Sequence, residues 1–182
     1  MELLNQLTAE DYNVYSDLLR QMVKPQKLFV IRDHTMAEWK TEELDEEVRK
    51  NSLEYMKKIF GLEQNDEILS DYYKKNEQPY PLERKFNFQT DYILVSDTVN
   101  EIFNKDNRSW ESDLSWKEFY EMYPGAYGIT EFSRVGFNSE KNKALVEMGN
   151  TSGPLAGWGY LVLLEKKNNS WIIQKKAESW IS

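Results

Sequence analysis

Arg134 is the side chain with the most to offer a ligand. It stands in the run Gly-Ile-Thr-Glu-Phe-Ser-Arg-Val-Gly-Phe-Asn (128–138), which otherwise reads as a strand, with Glu131 and Asn138 close by. A guanidinium in a sheet points to solvent, pairs with a carboxylate, or receives an anion. Because an unpaired buried charge is costly, pairing within the protein is the first reading and an anionic ligand the second. The single histidine, His34, follows Asp33 just past an apolar run, in the kind of strand-end loop that often carries functional groups. Neighbours in an extended chain face opposite ways, so Asp33 and His34 are not expected to form a dyad. Ser133 lies far from His34 in sequence and has no elbow motif around it, so a serine hydrolase is not expected.

Other chemistries find less support. With one His and no Cys, only carboxylates and amides remain for a metal, and these suit hard cations. Glu42, Glu43, Asp45, Glu46 and Glu47 lack the ligand spacing and turn glycine of a calcium loop and read as a solvated helix start. The stretch Gly149–Gly159 is glycine-rich, but a phosphate loop must feed a helix, and this one feeds the strand-like run Trp158–Leu164. It reads as a bulged or flexible connection whose glycines remove side chains that another segment would strike. The Asn-X-Ser/Thr triplets at Asn107, Asn150 and Asn168 carry meaning only on a eukaryotic secretory route. No metal or cofactor is expected.

The 182 residues fit one domain, 14% aromatic with 6 Trp, 11 Tyr and 8 Phe, which distinguishes the chain from disordered sequences despite 30% charged residues. A net charge of -8 without a free-standing basic cluster argues against nucleic acid and anionic membranes. The absence of cysteine excludes disulfides, thiolate catalysis and Cys-based zinc sites. No apolar run approaches the roughly 20 residues of a spanning helix, and the first residues do not resemble a secretory signal, so a cytoplasmic location is expected, with an exported mature form whose leader has been removed as the alternative.

The elements that must position these residues follow from periodicity. Thr8–Asp11 resembles a capping box ahead of a helical stripe of Tyr15, Leu18, Leu19 and Met22, which Pro25 ends. Lys27–Arg32 reads as a buried strand, and Thr35–Glu38 as a second helical start or a turn. Helices are predicted over Glu42–Phe60, stopped by Gly61, and over Asp66–Lys75. Phe86, Phe88, Tyr92 and Leu94 predict a strand that ends near Ser96. Short helices open at Thr98 and Ser115, the second stopping at Pro124-Gly125. Four strands then follow, joined by turns as short as Ser139–Asn142 and Lys166–Asn169, which makes them antiparallel neighbours. The expected fold is α+β. A C-terminal four-stranded antiparallel meander (128–182) is extended by strands near 27–32 and 86–96, with the N-terminal and central helices on one face. In the third strand of the meander Trp158, Tyr160, Val162 and Leu164 share one face, and Gly159, Leu161 and Leu163 share the other. Both faces are therefore largely apolar.

The terminal third resembles a bacterial family of uncharacterised α+β proteins. The resemblance rests on Phe132–Asn138, the Ala144–Val146 strand, the glycine-rich link Gly149–Gly159, and the hairpin Leu163–Lys167 with Trp171. It implies the fold but no assigned reaction. Relatives in that family often carry two cysteines in the link, where this chain has Ser152 and Ala156, so no redox, disulfide or metal role extends to it.

Two functional expectations follow. One is a non-catalytic binding or protein-interaction domain, for example an immunity-type partner of a basic protein, using the acidic surface and a two-sided apolar sheet. The other is a small-molecule pocket or enzyme in which Arg134, with Trp158 and Tyr160, orients an anionic ligand.

Overall fold

The computed structural model describes residues 6–37, 46–63, 66–96 and 112–182. In chain order the elements are α1 (Ala9–Met22), β1 (Leu28–Arg32), α2 (Glu46–Phe60), α3 (Glu67–Lys75), β2 (Asp91–Val95), α4 (Asp113–Met122), β3 (Ala126–Phe132), β4 (Gly136–Phe137), β5 (Lys143–Gly153), β6 (Ala156–Lys167) and β7 (Ser170–Ile181). The seven strands form one mixed sheet in the order β2-β1-β3-β5-β6-β7, with β4 beside β5. β1 runs parallel to β2 and β3, and every other pairing is antiparallel. The chain is thus an α+β protein whose C-terminal strands form an antiparallel meander.

Local chemistry sets the boundaries. Thr8 and Asp11 close the capping box: Thr8 N–H donates to Asp11 Oδ2 at 2.8 Å, and Asp11 N–H donates to Thr8 Oγ1 at 3.4 Å. Asp66 caps α3 by accepting from Ile68 N–H. Gly61, at φ +68, ends α2 in the left-handed conformation that glycine adopts without strain. Asn168 and Asn169, at φ 50 and 64, form the two-residue turn of the β6–β7 hairpin, which needs positive φ at both positions.

Helices cover both faces of the sheet, not the single face expected from sequence. Ala144, Val146, Met148, Val162 and Leu164 meet α1 through Tyr15, Leu18 and Leu19, with Trp171 buried among them. Leu145, Leu161 and Leu163, of opposite parity, meet Met56 and Phe60 of α2 and Ile68, Leu69 and Tyr72 of α3. Trp116 and Phe119 of α4 cover Val30, Val95 and Ile129. A strand that is apolar on both faces must exclude water from both, and the chain supplies helices for each.

Other expectations need correction. Residues 86–90 are not strand; β2 begins at Asp91. Phe86 and Phe88 alternate with polar residues, yet they turn into an aromatic cluster with Tyr12, Tyr15, Phe29, Tyr92 and Phe132. Thr35 opens no helix: its N–H donates to Tyr80 O, and Met36 bridges Ser133. α4 starts at Asp113, so Ser115 lies within it. The first strand of the meander is split into β3 and β4, because the backbone of Arg134 is bound by a side chain instead of a strand. Arg134 N–H donates to Asn76 Oδ1 at 2.7 Å, and Asn76 Nδ2 donates to Arg134 O at 3.0 Å. The helix expected at Thr98 and the acidic start at 42–45 lie outside the described residues.

The hairpin is tied to α1 at Trp171. Its Nε1 donates to Glu10 Oε1 at 2.8 Å, and its backbone N–H donates to Asp17 Oδ2 at 2.7 Å. Lys166 Nζ reaches the same Glu10 oxygen at 2.7 Å. Burial raises the Glu10 pKa, but the bonds from Lys166, Asn13 and Trp171 outweigh it and hold the carboxyl below its usual range.

Helix α3 packs directly on β4. A Cβ on Gly136 would lie 2.5 Å from Tyr72 Cβ and 2.7 Å from Ile68 O. Gly136→Ala must therefore push α3 away, and it is expected to cost about 1–3 kcal/mol, read as a lower urea midpoint at unchanged slope.

Candidate functional site

The six residues singled out from sequence fall into three separate places. Arg134 is 2% exposed, and its guanidinium lies 4.3 Å from the centre of the Tyr80 ring, with Nη2 donating to Gln6 O at 3.3 Å. It shares a cavity of about 630 Å³ with Asn138, walled by Glu10, Asp11, Glu67 and Asp71 as well as Lys75 and Lys141. Lys75 is engaged there by Asp71 at 2.6 Å. Ser139 donates to Glu67 and lowers its pKa. Four carboxylates set against Arg134, Lys75 and Lys141 leave no excess of positive charge, which makes a poor seat for an anion. Asn138 is a turn residue, its Oδ1 accepting from the N–H groups of Asn142 and Lys143.

Glu131 and His34 line a shallower hollow of about 460 Å³. Glu131 holds Arg32 through Nε at 3.0 Å. Contrary to the sequence expectation, His34 and Asp33 do meet, Nδ1 to Oδ1 at 2.7 Å. β1 ends at Arg32, so the alternation of an extended strand no longer applies. Among the described residues the pair faces no activated nucleophile. Thr35 Oγ1 is taken by Tyr80 N–H, while Ser133 Oγ is buried between Arg134 O and Glu147 N–H. Trp158 and Tyr160 lie elsewhere, on the α1 face, in a groove with Met22, Val23 and Tyr127, where Lys176 Nζ sits 4.5 Å from the Tyr160 ring centre. The structure therefore does not bring Arg134, Trp158 and Tyr160 into one pocket.

A different cavity unites polar and aromatic groups on the opposite face. It measures about 620 Å³ and lies between α2, α3 and the strands β5–β7, within the size range of roughly 300–1,000 Å³ usual for small ligands. Glu147 stands on its floor. In the run Ala144-Leu-Val-Glu-Met148, period-two alternation places Glu147 in the same row as Leu161 and Ala177, its partners across β6 and β7. The residue is 3% exposed. Its carboxylate accepts a hydrogen bond from Ser179 Oγ and makes no other among the described residues.

Beside that row lies another made of Gly149, Gly159 and Trp180. Here the glycine-rich link finds its reason. A Cβ on Gly159 would lie 2.1 Å from Trp180 Nε1, one on Gly149 2.8 Å from Cζ2, and one on Gly157 2.8 Å from Cζ3. The indole therefore lies flat across three glycines, one face against the backbone and the other turned away from the sheet. Tyr55 of α2, 54% exposed, and Tyr72 of α3 supply two more rings to the cavity walls.

The resolved pKa shifts elsewhere mark packing. Burial pushes Tyr12 and Tyr120 up, Tyr15 far up, and Tyr73 to about 12. Among the described residues no group of three His, Cys, Asp or Glu side chains could hold a metal ion, and no helix is long and apolar enough to cross a membrane.

Fold and cavity together define an α+β protein with a helix-covered mixed sheet and one aromatic, acid-floored cleft. No protein-family model, curated protein or solved structure matches the chain.

Sequence reasoning missed Glu147, Ser179 and Trp180. One signal was present: Glu147 is the lone charge in the run Ala144–Gly153, among Leu145, Val146 and Met148. Burying a carboxylate with a single hydroxyl donor opposes folding. Glu147→Leu is accordingly expected to stabilise the protein by about 1–2 kcal/mol, read as a higher melting temperature than that of the wild type.

Proposed function

We propose that this chain is a non-catalytic binding protein that takes a small organic ligand into the cleft between α2, α3 and β5–β7. The observation that carries the reading is Glu147, a buried carboxylate set beside Leu145, Leu161 and Ala177 at the bottom of a ligand-sized cavity. Apolar walls with a few convergent polar groups are the common form of a ligand site. The glycine-backed Trp180 adds a ring held in place before any ligand arrives, which lowers the entropy lost on binding.

The protein-interaction expectation, including its immunity-type version, drew on a sheet face left open for a partner. α2, α3 and α4 account for that face, so support moves from a docking surface to the cleft beneath the helices. The anion-binding expectation for Arg134 loses support to the acids around it and to the Asn76 clamp, which favour a structural role. The proposal retains membership in the family that Phe132–Asn138 resembles, because the glycines of that family's link acquire a packing role here. It also retains a cytoplasmic location, with which the cysteine-free composition agrees, and an absence of nucleic-acid binding, in keeping with the net charge of -8.

A fragment library screened by saturation-transfer NMR tests the reading. The wild type is compared with Ala177→Phe, which fills the cleft from its wall. Fragments are expected to bind the wild type, to lose their signal in the filled variant, and to remain chemically unchanged on long incubation. Binding indifferent to the filling substitution, or conversion of a bound fragment, would overturn it.

A further inference from the structure

The chemistry of the cleft selects among ligands. Resting on the binding role proposed above, we infer that the cleft receives a compact organic cation, an alkylated ammonium group, with its charge against Glu147 and its alkyl surface against Trp180, Tyr55 and Tyr72.

The charge balance favours a cation. Glu147 on the floor is an acid, and no Lys or Arg is among the described residues that line the cavity. Glu147 is already desolvated, at 3% exposure, with only Ser179 Oγ bonded to its carboxylate among the described residues. A cation entering the cleft supplies a counter-charge to a carboxylate that has no ion pair among the described residues, in a setting where water screens the attraction weakly. An anionic ligand would meet the Glu147 carboxylate there, and a neutral one would bring it no counter-charge.

The rings favour an organic cation over a metal ion. An ammonium group over an aromatic face is attracted by the ring quadrupole, and cages of such rings are the usual way proteins hold alkylated ammonium groups. Trp180 provides the strongest ring for this purpose. Its inner face is occupied by Gly149, Gly157 and Gly159, so the face that remains is the one turned from the sheet. A divalent cation would need several oxygen ligands, and among the described residues no group of three His, Cys, Asp or Glu side chains could hold a metal.

The test uses three probes of one shape and different charge: choline, its uncharged carbon isostere 3,3-dimethylbutan-1-ol, and the anion 3,3-dimethylbutanoate. Titration of the full chain, followed by NMR, is expected to give choline an affinity at least tenfold above the neutral isostere, with the anion weakest. Glu147→Gln, confirmed as folded by circular dichroism, is expected to lower choline affinity at least tenfold and to leave the isostere unchanged. Tyr55→Ala, a change at an exposed helix position, is expected to weaken choline about threefold to tenfold, the range of one cation–π contact. If the isostere or the anion binds as tightly as choline, and the Ala177→Phe filling removes both, the cleft is a ligand site but the cation inference is wrong. Choline binding that survives Glu147→Gln undiminished overturns it equally. Should no probe bind and the fragment screen also fail, the binding role falls together with the inference.

Discussion

Strands β5 and β6 are apolar on both faces, and that constraint organises everything else. Ala144, Val146, Met148, Val162 and Leu164 cannot share a helix with Leu145, Leu161 and Leu163, because alternate side chains of a strand point in opposite directions. Two sets of helices are therefore required. The chain provides α1 for one face, and α2, α3 and α4 for the other. The clamps that appear irregular serve this arrangement. Asn76, fully buried at the end of α3, binds both backbone groups of Arg134 and joins the helix to the sheet at the break between β3 and β4. Glu10 and Asp17 do the corresponding work for α1, holding Trp171 by its indole and its backbone. Each of these polar groups is buried or half-buried and partnered, as the cost of leaving one unpaired demands.

Against that background the two covered faces are unequal. The α1 face is packed with aliphatic and aromatic side chains along β5 and β6, as far as the groove beside Trp158 and Tyr160. The opposite face departs from this pattern at two adjacent rows: one contains a carboxylate, and the next replaces side chains with two glycines and a tryptophan from the neighbouring strand. Neither departure helps folding by itself. Glycine within a strand forgoes side-chain packing and costs conformational entropy, and the carboxylate costs desolvation. Both occur where the helices leave a cavity, and that coincidence supports a functional reading over a structural one.

Much of this fold was legible in the chain, and the reasons are local. The Thr8–Asp11 box, the Asp66 and Gly61 helix limits and the Asn168-Asn169 turn are decided by residues in contact with their own neighbours. What the sequence concealed is decided by distant ones. Phe86 and Phe88 have strand-like alternation, but a ring cluster built from α1, β1 and β3 claims them instead. Arg134 reads first as a charge paired within the protein, but its neighbours Tyr80, Asn76 and Gln6 are all remote in sequence and no local pattern names them. The glycines were correctly read as making room for another segment, although nothing nearby identified that segment as Trp180. Glu147 could have been noticed as the lone charge between Ala144 and Gly153. Its significance depends on a hole left by α2 and α3, and no local pattern reveals a hole.

The cleft also shows a division of labour between its walls. Its floor is sheet: Glu147 is fixed by the β6 ladder on one side and by Ser133 on the other, and Trp180 lies against glycine backbone that leaves the ring no room to sink further. Its roof is helix, and Tyr55 on α2 is more than half exposed. A rigid floor with a less constrained roof sets the charge and the flat ring before binding, while the exposed ring can adjust to the bulk of what enters. The cost of holding Glu147 and Trp180 in place is then met during folding, not during binding. Affinity for a small ligand depends on that order of events, because a ligand with few atoms has little interaction energy with which to organise its own site.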